Sequence, residues 1–227
     1  MLAHQVKFLS IFCLLNSLVI LNAQNSLEIE VLNCNENNSS GHIEYLNLYQ
    51  NDSLIKVLDR HEMDSPIKNL QLGIYQLKYT SIFGKKHSIH FEIQSKSKKQ
   101  IVVCADYIEH EKENYIPFID QIKNDEEYSI KLFSSGCFYF SKDTIIISKF
   151  DNTFFISYKG YKKQLENKDV QKLRFFEIEL NALSTGGGCT SSTSYSFTFK
   201  DKVFEKTDDS CKWRGLHFFM ETIKQDY

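Results

Sequence analysis

The chain has 227 residues, with 27 basic and 29 acidic side chains, a formal charge of −2 at pH 7. That near balance gives no electrostatic footprint for nucleic acid, which calls for a concentrated basic surface. Its length suits one large or two small domains once a leader is set aside.

The first 24 residues have the parts of a secretory signal peptide. Lys7 precedes a nearly unbroken apolar run from Phe8 to Leu21, and Asn22, Ala23 and Gln24 end it. Cleavage is expected after Ala23, although Leu21 stands where a small residue is preferred. The rival is an uncleaved anchor, but this run of about 14 residues falls short of the roughly 20 that span a bilayer core. Cys13 lies inside the run, not just after it, which argues against lipoprotein attachment. No later segment is apolar enough to span a membrane. Removing residues 1–23 takes Lys7 and no acid, leaving 26 basic against 29 acidic groups and a formal charge of −3. Asn37, Asn38 and Asn51 begin Asn-x-Ser triplets, which are glycosylation acceptors in a eukaryotic pathway and turn residues in a bacterium.

Residues 24–105 read as a series of short strands. Leu27, Ile29 and Val31 alternate with Glu28 and Glu30, the period of a half-buried strand. Strands follow over 42–50, 54–59, 74–79, 88–93 and 101–104, punctuated by Asn51-Asp52, Pro66 and Gly84-Lys85. Such spacing predicts an antiparallel β-sandwich. Within it, Leu70, Leu72, Gly73, Ile74, Tyr75 and Leu77 form a pattern that resembles the signature of transthyretin-like, carboxypeptidase-regulatory-type modules. Leu72 stands where that signature has proline. The resemblance implies a scaffold appended to other domains, with Tyr75 and Leu77 facing the core and no catalytic residues to carry over.

Residues 106–127 are charged and read as a solvated linker. Glu109, His110 and Glu111 are adjacent on it, so they cannot all face one metal ion. Residues 128–227 predict a small α+β domain, an antiparallel sheet with two helices. A strand region over 128–140 is interrupted at Ser134–Gly136, and a hairpin turns at Asp151-Asn152. Val170, Leu173, Phe176, Leu180 and Leu183 mark one face of a helix capped by Asn167 and ended by Gly186–Gly188. Tyr195, Phe197 and Phe199 alternate with Ser194, Ser196 and Thr198 in a one-sided strand, which returns through Val203 and Phe204. Asp208, Asp209 and Ser210 offer capping oxygens to a last helix carrying Trp213, Leu216, Phe219, Met220 and Ile223. The residues Gly187 to Thr190, with Asp209 to Gly215 downstream, resemble the C-terminal part of small secreted bacterial proteins of unassigned activity, which implies only an exported compartment and disulfides.

Five cysteines follow the leader, an odd number. Cys189 opens the hairpin that ends near Asp208, so Cys211 returns beside it, and Cys189–Cys211 is the expected disulfide. Cys34 and Cys104 end the first and last strands of the first region and are paired in turn. Cys137 is then left over; its rival role is a bond to Cys189 that would leave Cys211 unpaired.

No catalytic, cofactor or metal site emerges. The stretch 184–192 is glycine-rich but lacks the Gly-Lys-Ser/Thr ending of a phosphate loop and the Gly-x-Ser-x-Gly of a nucleophile elbow. No Cys-x-x-Cys is present for zinc. His87 and His90, three apart on a strand, face opposite sides. The reading is a secreted or periplasmic, non-enzymatic binding module with an envelope or extracellular partner. Its rivals are an enzyme or enzyme inhibitor with its site in the C-terminal region, and a structural envelope component. Ligand, oligomeric state and cysteine connectivity lie beyond chain order.

Overall fold

A computed structural model describes residues 25–35, 39–94, 98–184 and 188–224. The signal segment, with its expected cut after Ala23, lies outside them, as do Gly186, Gly187 and the side chain of Ile223. The described chain is mainly β, with two hydrophobic clusters.

The first region holds β1 (Ser26–Asn33), β2 (Ser39–Ser40), β3 (Leu46–Gln50), β4 (Ser53–Leu58), a short helix α1 (Arg60–Met63), β5 (Ile67–Lys68), β6 (Gly73–Thr80), β7 (Lys86–Ile93) and β8 (Lys98–Cys104). One antiparallel sheet runs β4-β3-β6-β7. The other centres on β1, with β2 and β5 at opposite ends of one edge and β8 along the other. Asn51 and Asp52 both take positive φ, the conformation of the tight turn joining β3 to β4. Alternation puts Leu46, Leu48, Tyr75, Leu77, Phe91 and Ile93 inward from one sheet, and Leu27, Ile101 and Val103 from the other, into one cluster. Gly73, at φ 141°, starts β6 in a conformation that strongly favours glycine, and Tyr75 hydrogen-bonds back to the Gln71 carbonyl at 2.8 Å.

One expectation is corrected here. The strands are not all antiparallel: β1 and β8 pair in parallel, from Ser26 opposite Lys98 to Leu32 opposite Cys104. A parallel pair needs a long crossover, and the intervening chain through the second sheet supplies it. Alternation within each strand carries no information about which strand lies beside it.

Residues 106–127 are not a solvated connection. Ile108, Phe118, Ile119 and Ile122 are buried in the second cluster, and helix α2 (Phe118–Gln121) presents two of them. Most of the acids there face outward, and buried Asp106 finds amide donors, while the apolar side chains turn in.

A six-stranded antiparallel sheet follows, in the order β12 (Tyr161–Gln164), β11 (Thr153–Tyr158), β10 (Phe140–Phe150), β9 (Glu126–Ser135), β13 (Ser192–Phe199), β14 (Lys202–Asp208). Tyr128, Ile130, Ile145, Ile147, Tyr195 and Phe197 point from one face onto α3 (Asn167–Ala182) and α4 (Gly215–Lys224). Phe176 of α3 anchors the layer, its ring 4.8 Å from Phe219 and 5.5 Å from Trp213. The cap of α3 is Glu166, one residue before Asn167, and Trp213 precedes α4 instead of lying on it. Asp208 and Ser210 cap the turn ahead of α4: Asp208 accepts from the Ser210 amide, and Ser210 Oγ accepts from the amides of Lys212 and Trp213.

The two regions touch. Phe83, in the turn after β6, buries in the second cluster. Lys212 reaches Glu44 at 3.2 Å.

Candidate functional site

A cleft of about 830 Å³ opens where the two regions meet, within the range of small-molecule sites. One wall comes from the residues leading into β3 and from the ends of β6 and β7; Ser184, Ser210 and Lys212 of the second region close the other. The pairing of β6 with β7 sets Tyr79 opposite His87, so both rings share a face at the sheet's end. His87 lies between two aromatics, 5.3 Å from the Tyr79 ring and 4.7 Å, edge-on, from Tyr107.

The charge of this cleft is chiefly basic. Lys78, Lys86 and Lys212 line it against one acid, Glu44, which Lys212 engages. Burial, then the nearby charges of Lys212 and Arg60, hold His42 below the usual histidine value, and burial does the same to His87. A histidine whose protonation is opposed by neighbouring cations reports a positive local potential. Two polar atoms, Ser81 Oγ and His87 Nε2, are buried and have no hydrogen-bond partner among the described residues. Alternation turns Tyr79, Ser81 and His87 toward the first cluster and Lys78 and Lys86 to the other face, so these two atoms lie behind the wall, away from its lysines.

The second region treats its buried acids differently. Glu177, on α3, accepts hydrogen bonds from the amides of Phe118 (2.5 Å) and Ile119 (3.4 Å) and from the Tyr128 hydroxyl (2.7 Å). Burial pushes its carboxyl up to about 7 despite those donors. Two residues on, Glu179 accepts from Trp213 Nε1 at 2.9 Å and sits 3.0 Å from His110 Nε2, whose ring stacks on Phe175 at 3.9 Å. Sequence reasoning left His110 in solvent and passed over both glutamates. The signal was present in outline, since Glu177 and Glu179 interrupt an otherwise apolar helix face. Neither lines the cleft.

The cysteines are placed as follows. Cys34 is bonded to Cys104, with Cα atoms 5.3 Å apart, and Cys189 to Cys211, at 5.5 Å. The parallel register of β1 and β8 brings the first pair together. Buried Asp106 then clamps the turn after β1, accepting from the amides of Cys34 (2.6 Å) and Asn35 (2.9 Å). The Cys189 amide meets the Asp209 carbonyl at 3.3 Å across the mouth of the β13–β14 hairpin. Cys137 is free and exposed at the tip of the β9–β10 hairpin. His90 is on the opposite face of β7 from His87, 2.9 Å from Gln76 Nε2, and His217 is exposed beside Glu221.

Two disulfides fit an oxidising compartment. Among the described residues no helix is long and apolar enough to cross a membrane. No family model, curated protein or solved structure matches the chain.

Proposed function

We propose that this protein is exported, secreted or periplasmic, and acts without catalysis as a binding module that holds an anionic small molecule in the cleft between its two regions. In this reading residues 1–23 are a cleaved leader. Residues 24–105 are a β-sandwich of the transthyretin-like, carboxypeptidase-regulatory type, residues 106–127 join it to the rest, and residues 128–227 are an α+β domain. The observation that carries the proposal is the set of three lysines, Lys78, Lys86 and Lys212, that line the cleft against a single acid, Glu44, which Lys212 already engages. A carboxylate or phosphate would face Lys78, Lys86 and Lys212. His42 and His87 gain charge as pH falls below their lowered values, so affinity should strengthen toward acid.

Binding favours this reading over catalysis. Ser81 and His87 line one cleft, yet Ser81 Oγ makes no hydrogen bond to the imidazole, the contact that would activate it as a nucleophile. The carboxyl pushed to about 7, Glu177, is sealed beneath α2.

Thermal unfolding of the exported chain with and without inorganic phosphate, sulfate and succinate tests the proposal. A ligand present at about 100 times its dissociation constant adds roughly 2.7 kcal/mol to stability. At least one anion should raise the midpoint, and Lys212→Gln with Lys78→Gln should abolish the rise. Midpoints unmoved by all three, or moved equally in the double variant, would refute it.

A further inference from the structure

We propose that the tip of the β9–β10 hairpin docks on an anionic lipid surface. This stands apart from the cleft and does not depend on it.

β13 begins opposite Ser135, and the turn 136–139 extends past that pairing, closed by the Gly136 amide on the Tyr139 carbonyl at 3.0 Å. Phe138 at its apex is fully exposed, at 101 % of the reference area. Tyr139 and Phe140 are more than half exposed, and Phe133 joins them, its ring edge-on to Phe140 at 4.8 Å. Three consecutive exposed aromatics on a convex turn cost solubility unless something covers them.

The surrounding charge selects the cover. From Tyr128 to Lys142 the sequence has no acid. Lys142 Nζ sits 5.7 Å from the Phe133 ring centre and 5.5 Å from that of Phe140, and Lys131 lies two residues from Phe133 on the same strand face. Asp143, next along β10, is paired with Lys159 at 2.9 Å. The acid on the adjoining sheet surface, Glu205, is opposite Ser196 on β14, two strands from Lys131. An apex of aromatic rings backed by lysines matches a bilayer interface: the rings enter the headgroup boundary while the lysine stems lie along them and carry their charge to lipid phosphates. A protruding point suits a deformable surface better than a preformed groove, because Phe138 brings no neighbouring wall to complete one.

Cys137, within this turn, is free and exposed and takes a probe. The exported chain, labelled there with an environment-sensitive fluorophore, is mixed with vesicles of phosphatidylcholine alone or of equal parts phosphatidylcholine and phosphatidylglycerol. The label should shift to the blue and the protein sediment with the mixed vesicles but not the neutral ones. Phe138→Ser with Phe140→Ser should weaken sedimentation roughly tenfold or more. Phe138→Ser alone, at a side chain with no burial to lose, should weaken it in part without changing the unfolding midpoint. No shift, equal sedimentation of the double variant, or equal binding to neutral vesicles would overturn the proposal. So would self-association in sedimentation equilibrium that the double variant abolishes, since the occupant would then be a second copy.

Discussion

The two regions handle buried polarity in opposite ways. In the second, Glu177 and Glu179 project from α3 with amide, hydroxyl, indole and imidazole groups around them. In the first, Ser81 Oγ and His87 Nε2 are buried behind the cleft wall with no partner among the described residues. A carboxylate that has collected donors from two other elements is holding those elements together, whereas a buried hydroxyl without a partner among the described residues makes no such tie. Tyr115 is the exception in the second region: its hydroxyl is buried near Glu177 without a hydrogen bond of good geometry.

The largest effect expected bears on what holds each region closed. In the chain-entropy account, Cys34→Ala with Cys104→Ala, spanning 70 residues, should cost about 4 kcal/mol. The corresponding change at Cys189 and Cys211, spanning 22 residues, should cost about 3 kcal/mol. Urea unfolding of the two double variants compares them, and a larger loss at the shorter loop would contradict the ranking.

Next comes pH. Glu177 goes from an ordinary value of 4.5 to about 7 on folding, so the folded state holds its proton more tightly. Its contribution is therefore fully present below about 4.5 and is lost as pH rises through 7, a change of roughly 3 kcal/mol. Burial raises Asp106 as well, with the same sign. The lowered histidines of the cleft act oppositely, losing stability as pH falls through and below their ordinary value of 6.5. Glu177→Gln should remove most of the decline between those limits, read by urea unfolding across pH. A variant with the parent's slope would place the titration elsewhere.

The sharpest contrast needs two single hydroxyl or methylene-scale changes. Tyr128→Phe strips a donor from Glu177 and should cost about 1–3 kcal/mol. Ser81→Ala removes an oxygen with no partner and should fall within about 0.5 kcal/mol of the parent. Equal costs would erase the distinction between saturated and unsaturated burial.

How much of this was legible in the sequence follows from what local pattern can encode. Tyr195, Phe197 and Phe199 announced their strand, and Asp151-Asn152 its turn, because both signals are carried by neighbours in the chain. Asn152 and Asp151 do take positive φ there. The parallel pairing of β1 with β8 was not legible, since it depends on strand order. Residues 106–127 misled by composition: acids and lysines between Asp106 and Glu127 outnumber the four buried apolar side chains that decide where the segment lies. The four-residue helices and β12 are too short to show a period. The cleft was invisible for a different reason. His42, Ser81, His87 and Lys212 come from four separate segments, and nothing in their spacing foretells that β6, β7 and the turn before α4 converge.

The central claim is that the cleft binds an anion, and histidine ring resonances test it most directly. The chain is titrated with inorganic phosphate and then succinate at pH 6.5 while His42, His87 and His217 are followed by NMR. The account predicts that His42 and His87 shift together and saturate with one of the anions, while His217, outside the cleft, stays fixed. Shifts confined to His217, or none at His42 and His87 with either anion, would contradict it.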